Sequence, residues 1–173
     1  MIVSLPVHWI IIIDILAWTF FHLAISVICL RLPLTWFLED HFWFRTFSFE
    51  QSGKLWQRLF RVKTWKGLIL DGTIFLKKGY SKKGLHGKKA GDLMVFAAET
   101  KRAELTHLLS ILPAPLFFIW NPAWAGWVMI LYALVFNLPI IVVQRYNRGR
   151  ISAITEDLAR NQADYCKEMR ERK

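Results

Sequence analysis

The sequence predicts an all-α membrane protein, with about three transmembrane helices plus interfacial amphipathic helices, and three observations carry that prediction. Hydrophobic residues make up 54% of the 173, aromatics 15%, and the mean hydropathy is +0.29. That is more apolar surface than a soluble domain of this size can bury. Lys and Arg nevertheless outnumber Asp and Glu by 23 to 13, giving a formal charge of +10 and a pI near 9.9. The two properties occupy different stretches of chain, because every basic residue lies between Arg31 and Arg102 or after Val143. A disordered chain, a soluble secreted scaffold and an ordinary nucleic-acid-binding domain are thereby excluded.

The chain reads as one integral membrane domain. Residues 5–30 form the first span. The apolar run from Val7 to Leu30 is interrupted only by Asp14 and His22, and roughly 20 helical residues suffice for ~30 Å of hydrocarbon. The run is too long for a signal-peptide core and no Lys or Arg precedes it, so an uncleaved anchor is expected. Asp14 and His22 share a helix face and are expected to pack against polar parts of the other helices.

Residues 31–98 form a basic cytoplasmic and interfacial region. Phe42, Trp43, Phe44, Phe47 and Phe49 crowd its start, and Lys54 to Lys66 sets Leu55, Trp56, Leu59 and Phe60 at helical spacing among Lys54, Arg58 and Arg61. That is the pattern of a helix lying in the headgroup layer. Leu70-Asp71-Gly72 signals a turn, and the Lys-Gly mixture of residues 77–89 reads as a mobile loop near anionic lipid.

Residues 99–120 form the second span, either crossing or re-entering at Pro113 and Pro115, and 124–144 the third. Asn121-Pro122 and Gly126 mark a tight connection between them. The charged tail, residues 151–173, reads as a solvated helix. The positive-inside rule puts both basic regions in the cytoplasm and the N-terminus and 121–126 turn outside the cell membrane, an arrangement that three crossings satisfy. Cys29 and Cys166 read as two unremarkable thiols, and no Cys/His cluster has the spacing of a metal site.

Two polar constellations sit at the membrane boundary. On a helix, Glu99, Arg102, Glu104, Thr106, His107 and Ser110 sweep one face opposite Leu105, Leu108, Leu109 and Leu112. Ionisable groups are costly where a helix enters apolar surroundings, and they are usually paired and often functional. His107 lies within side-chain reach of Glu104 and Ser110. The second constellation runs from Asn137 through Pro139 to Gln144, Arg145, Asn147, Arg148 and Arg150. Asn137, Gln144 and Arg148 align on one stripe, and the backbone carbonyl freed by Pro139 offers the deep Asn137 amide a partner. Guanidinium forks match phosphate oxygens, so these arginines suit a phosphate-bearing ligand. They equally suit a cytoplasmic topology anchor.

Trp65-Lys66 with Leu70-Asp71-Gly72, ETKRAEL-x-H-x-x-SILP from Glu99 to Pro113, and NLPIIVVQRYNRGR from Asn137 to Arg150 together resemble the glycosyl-diaponeurosporenoate acyltransferases. The resemblance spans roughly Arg31 to Ile151 and leaves out the first helix and the tail. It implies transfer of a fatty acyl chain to a sugar hydroxyl of a glycosylated carotenoid or similar glycolipid. No cofactor is implied beyond an acyl-CoA or acyl carrier protein thioester as co-substrate.

On that reading His107 is the general base, with Glu104 or Glu99 orienting it and Asp71 a further catalytic candidate. Arg102, Ser110, Asn137, Gln144, Arg145, Asn147 and Arg148 are the substrate-binding candidates, the three arginines gripping donor phosphates or the oxyanion. On the residues alone, a structural His107 bonded to Glu104 fits equally. Membrane lipid, acceptor and acyl donor are the expected partners, with no nucleic acid, and the aromatic surfaces permit a homodimer without requiring one. A non-catalytic subunit that binds lipid or carotenoid is the competing reading. The GxSxG elbow, P-loop, HExxH and HxxxxD patterns are all absent from the sequence.

Overall fold

The computed structural model describes residues 6–39, 41–68 and 90–171, with side chains of the last helix described as far as residue 160. Among these residues every regular element is helical. Helix α1, Val7–Arg31, begins after Pro6 and ends where Leu32 turns extended ahead of Pro33. Its apolar residues surround it because most of its circumference faces outward. Ile11, Ile15, Leu16, Phe20 and Leu23 are exposed, whereas Asp14, Trp18 and Cys29 are buried.

A short α2, Leu34–Leu38, follows, then single turns at Phe42–Phe44 and Ser48–Gly53. Helices α3, Lys54–Phe60, and α4, Val62–Trp65, lie beyond them. The expected continuous helix from Lys54 to Lys66 is therefore broken, at Arg61, which adopts a left-handed φ of 48°. The break turns Val62 inward, where it packs fully buried against Val143 and Tyr146. The Trp65 indole N–H steadies the corner by donating to the Phe60 carbonyl at 2.7 Å.

Helix α5, Ala90–Ile111, stops just before Pro113, and a 3-10 turn over Ala114–Ile119 leads to helix α6, Ala123–Glu171. Helix α6 is a single 49-residue helix that continues through Pro139. The predicted third span and charged tail are thus one element, not two.

Among the described residues two helices, α1 and the Ala123–Arg160 portion of α6, are long and apolar enough to cross a membrane. The expected third membrane-length helix over residues 99–120 is not formed. Beyond its last charged residue, Glu104, α5 has only Leu105 to Ile111 before the chain leaves the helix, about 10 Å at 1.5 Å per residue. Its polar face points inward, with Glu99, Thr100, Glu104 and Ser110 buried, while Leu108 and Leu112 are exposed. Leu108 and Leu112 thus face outward as expected, whereas Leu105 packs against the Phe37–Phe44 cluster and the buried Lys101, on its side of the helix, donates to the Glu39 carbonyl at 2.8 Å.

The helices meet at both ends of α1. Near its start, Asp14 Oδ1 accepts hydrogen bonds from Trp120 Nε1 at 2.7 Å and Asn121 Nδ2 at 2.8 Å. Trp18 stacks on Phe117 with ring centroids 4.5 Å apart, and His22 stacks on Trp18. Asp14 therefore packs against polar groups of the neighbouring elements as expected, whereas His22 lies between aromatic rings, Trp18 of its own helix and Phe136 of α6. At the other end Arg102 Nη2 donates to the Leu32 carbonyl at 3.1 Å.

The 48–53 turn presses against α6 through two glycines. Gly53 has φ +84°, and a Cβ there would lie 2.8 Å from the Tyr146 carbonyl oxygen; a Cβ on Gly149 would lie 2.6 Å from the Gly53 nitrogen. The Leu70–Gly72 turn, Asp71 with it, the lysine-rich stretch of 77–89 and the Cys166 thiol lie outside the described residues.

Candidate functional site

Helices α5 and α6 run antiparallel and bring their polar stripes together in the interior. His107 Nδ1 lies 2.8 Å from Asn137 Oδ1, and Asn137 Nδ2 donates to the Ala133 carbonyl at 2.8 Å. This chain of contacts fixes a proton. A carbonyl can only accept, so the amide NH₂ of Asn137 faces Ala133 and its oxygen faces the imidazole. His107 Nδ1 must then carry the hydrogen, and in the neutral ring the lone pair resides on Nε2. Asn137 is fully buried, so the amide has no alternative aqueous partner.

Two sequence expectations are corrected here. The hydrogen-bond partner that orients His107 through Nδ1 is Asn137, in the role expected of Glu104 or Glu99. Asn137 in turn uses the Ala133 carbonyl one turn back on its own helix, rather than the carbonyl released by Pro139.

The carboxylates serve the arginines. Glu99 Oε1 accepts from Arg102 Nη1 at 2.7 Å. Glu104 Oε1 accepts from Arg145 Nη1 at 2.8 Å, and its other oxygen is 2.6 Å from Arg148 Nη2. Arg145 also bonds Glu50 Oε1. Arg102, Arg145 and Arg148, expected to hold phosphate or an oxyanion, are instead committed to internal ion pairs. The physical reason is burial: a guanidinium this far from water needs a fixed counter-charge even when no ligand is bound.

Glu50 was not foreseen. It is fully buried and also accepts from Trp56 Nε1 at 2.7 Å and the Phe47 amide at 3.1 Å. Burial alone would push its carboxyl up, but these donors and the Arg145 charge outweigh that and hold it below the ordinary value. A signal existed in the sequence, since Glu50 is the lone acidic residue between His41 and Leu70.

The other predicted residues distribute around this pair. Ser110 is buried and donates to the Thr106 carbonyl at 2.8 Å. Gln144, two turns beyond Asn137 on α6, is 6% exposed and its Oε1 is buried with no hydrogen-bond partner among the described residues. Asn147 is at the edge, where Lys66 Nζ reaches its Oδ1 at 3.4 Å. Among the described residues no group of three or more His, Cys, Asp or Glu side chains is placed to hold a metal ion.

Fold and site define a class: a helical membrane protein with a tautomer-fixed histidine and a lattice of buried ion pairs in its interior. A family model for glycosyl-4,4'-diaponeurosporenoate acyltransferase matches residues 40–157. Two relatives of that name, from Staphylococcus aureus strains bovine RF122 / ET3-1 and MRSA252, are each 38% identical over 143 residues. The alignments cover 83% of this chain and 86% of the relative. A third, from strain USA300, is 37% identical over the same length. No solved structure shows a significant match. The chain belongs to the glycosyl-4,4'-diaponeurosporenoate acyltransferase family and is an acyltransferase of carotenoid biosynthesis.

Proposed function

We propose that this protein moves a fatty acyl chain from a thioester donor to a sugar hydroxyl of a glycosylated carotenoid, with His107 as general base. The observation that carries the proposal is the His107–Asn137–Ala133 relay, which leaves the basic lone pair on Nε2. A sugar hydroxyl is a weak nucleophile. As its oxygen attacks the thioester carbonyl, Nε2 takes its proton, and the new C–O bond forms in a tetrahedral intermediate. Collapse breaks the C–S bond, and the imidazolium returns the proton to the departing thiolate. Asn137 Oδ1 accepts from Nδ1–H throughout and stabilises the imidazolium, as the third member of a triad does. Gln144 Oε1, buried and aligned with Asn137, is suited to accept a hydrogen bond from the acceptor sugar.

The interior placement has a chemical purpose. Exclusion of water from the reacting carbonyl favours transfer to the sugar over hydrolysis. The exposed apolar faces of α1, α5 and α6 let both greasy substrates approach from the bilayer.

The same reading includes a three-pass topology, N-terminus outside and C-terminus in the cytoplasm of a cell membrane protein. The register of α1 against residues 102–121 supports it. Arg102 meets Leu32 at one end and Asn121 meets Asp14 at the other, about 27 Å apart along α1 at 1.5 Å per residue. Helix α5 and its 3-10 extension together therefore travel nearly the ~30 Å of a hydrocarbon core.

The test is incubation of the purified protein in detergent with a radiolabelled long-chain acyl-CoA and a glucosylated carotenoid. The expected product is a labelled ester on the sugar. Retention of label on the donor alone, with donor bound, would contradict enzymatic transfer to that acceptor.

A further inference from the structure

We propose that a cleft between α3, α4 and α6, on the opposite side of α6 from the His107–Asn137 pair, binds a phosphate group, with an anionic phospholipid headgroup as its source. The cleft has a volume of about 250 Å³ and is lined by Lys54, Gln57, Arg58, Lys63, Tyr146 and Arg150. Four of these six are cations and none is a carboxylate. They come from three elements. Lys54, Gln57 and Arg58 share one face of α3 at i, i+3 and i+4, Tyr146 and Arg150 share one face of α6, and Lys63 comes from α4 between them.

The contrast with the interior is what marks the cleft. Arg102, Arg145 and Arg148 each have a carboxylate within 2.8 Å. Among the described residues no salt bridge involves Lys54, Arg58, Lys63 or Arg150. Like charges held together raise one another's energy, and an anion placed among them relieves it. Beside them, Lys66 has its ammonium held below the ordinary lysine value, chiefly by burial and secondly by the charge of Lys63. Fork-shaped guanidinium donors from Arg58 and Arg150 suit phosphate oxygens.

Two features favour a headgroup as the phosphate's source. Leu59 and Phe60, which follow Arg58 in α3, are 61% and 49% exposed, and Leu68 just beyond α4 is 83% exposed, so the elements that carry the basic residues also offer apolar surface to acyl chains. Tyr146 also lies nine residues from Asn137, half a turn round α6 and about 13 Å along it. A phosphate there lies on the face of α6 turned away from the His107–Asn137 pair. The site is read by binding without turnover, so its failure and that of the acyl-transfer proposal are distinguishable.

The experiment uses the full chain purified in a neutral detergent, with phosphatidylglycerol, phosphatidylcholine and free coenzyme A as probes. Binding is followed by native mass spectrometry and by the shift in melting temperature. The expected result is retention of phosphatidylglycerol over phosphatidylcholine. Arg58→Gln/Lys63→Gln should weaken that retention at least tenfold, and Arg58→Lys should preserve most of it. Loss of coenzyme A binding in the double variant, with phosphatidylglycerol unaffected, would keep the phosphate site but overturn the lipid as its source. Wild-type protein that binds phosphatidylglycerol no better than phosphatidylcholine, and does not bind coenzyme A, overturns the proposal. So does a folded double variant that binds all probes as the wild type does.

Discussion

Asn137 lies between a carbonyl that can only accept and an imidazole that can donate or accept, and that asymmetry sets the tautomer of His107. Replacing Asn137 by Ala should therefore leave the base present but unoriented. Turnover is expected to fall by less than the ~10²–10⁴-fold that a general base contributes, with a changed pH dependence of kcat/KM as the accompanying signature. Glu104 answers a different question. It balances two buried guanidinium groups, so Glu104→Gln should destabilise the fold by about 3–5 kcal/mol, measured by melting in detergent, whatever it does to catalysis. Glu50 adds a pH dependence of definite sign. Its folded-state pKa is depressed, so its stabilisation is present above the ordinary carboxylate value and is lost as pH falls through the lower folded value. Melting temperatures should decline on acidification in that range, and Glu50→Gln should flatten the decline.

Helix α6 shows how far patterning reaches and where it stops. The stripe of Asn137, Gln144 and Arg148 is legible in the sequence, because 3.6-residue periodicity puts those positions on one side, and all three are buried. The partners of the stripe were not legible. Nothing local says that Arg145 would reach Glu50, 95 positions away in the chain, because ion-pair choice follows tertiary approach rather than spacing. The same limit applies to α3 and α4, where propensity favours one helix from Lys54 to Lys66 but burial of Val62 is gained by breaking it at Arg61. Close approach at Gly149 was equally invisible. A methyl group there meets backbone atoms of Ser52 and Gly53 at 2.8 and 2.6 Å, so Gly149→Ala should push the 48–53 turn off α6. A loss of roughly 1–3 kcal/mol is expected from overpacking, read as a lower melting temperature with Glu50 less protected from solvent.

The molecule as a whole differs from a soluble domain in that large apolar residues cover its outside, while charged and amide groups share its interior with the buried apolar clusters. Leu131, Val135 and Trp124 are 61%, 64% and 72% exposed, while Glu104, Asn137 and Arg148 are 2%, 0% and 3% exposed. Composition foretells the apolar exterior, but the count of membrane-length helices is set by where α5 ends, which the apolar run across Pro113 conceals. A lysine on the outer face should accordingly be harder to accommodate than an alanine. Leu131→Lys is expected to cost roughly 2.5–3.5 kcal/mol of insertion free energy and to lower membrane yield, whereas Leu131→Ala should change it little. On this account the His107–Asn137 pair is placed in the interior so that a hydroxyl loses its proton out of reach of water. The most direct measurement is the rate of acyl transfer to a glucosylated carotenoid by purified His107→Ala protein whose melting temperature matches the wild type. A loss of about 10²–10⁴-fold is predicted; transfer at the wild-type rate would contradict the assignment of His107 as the base.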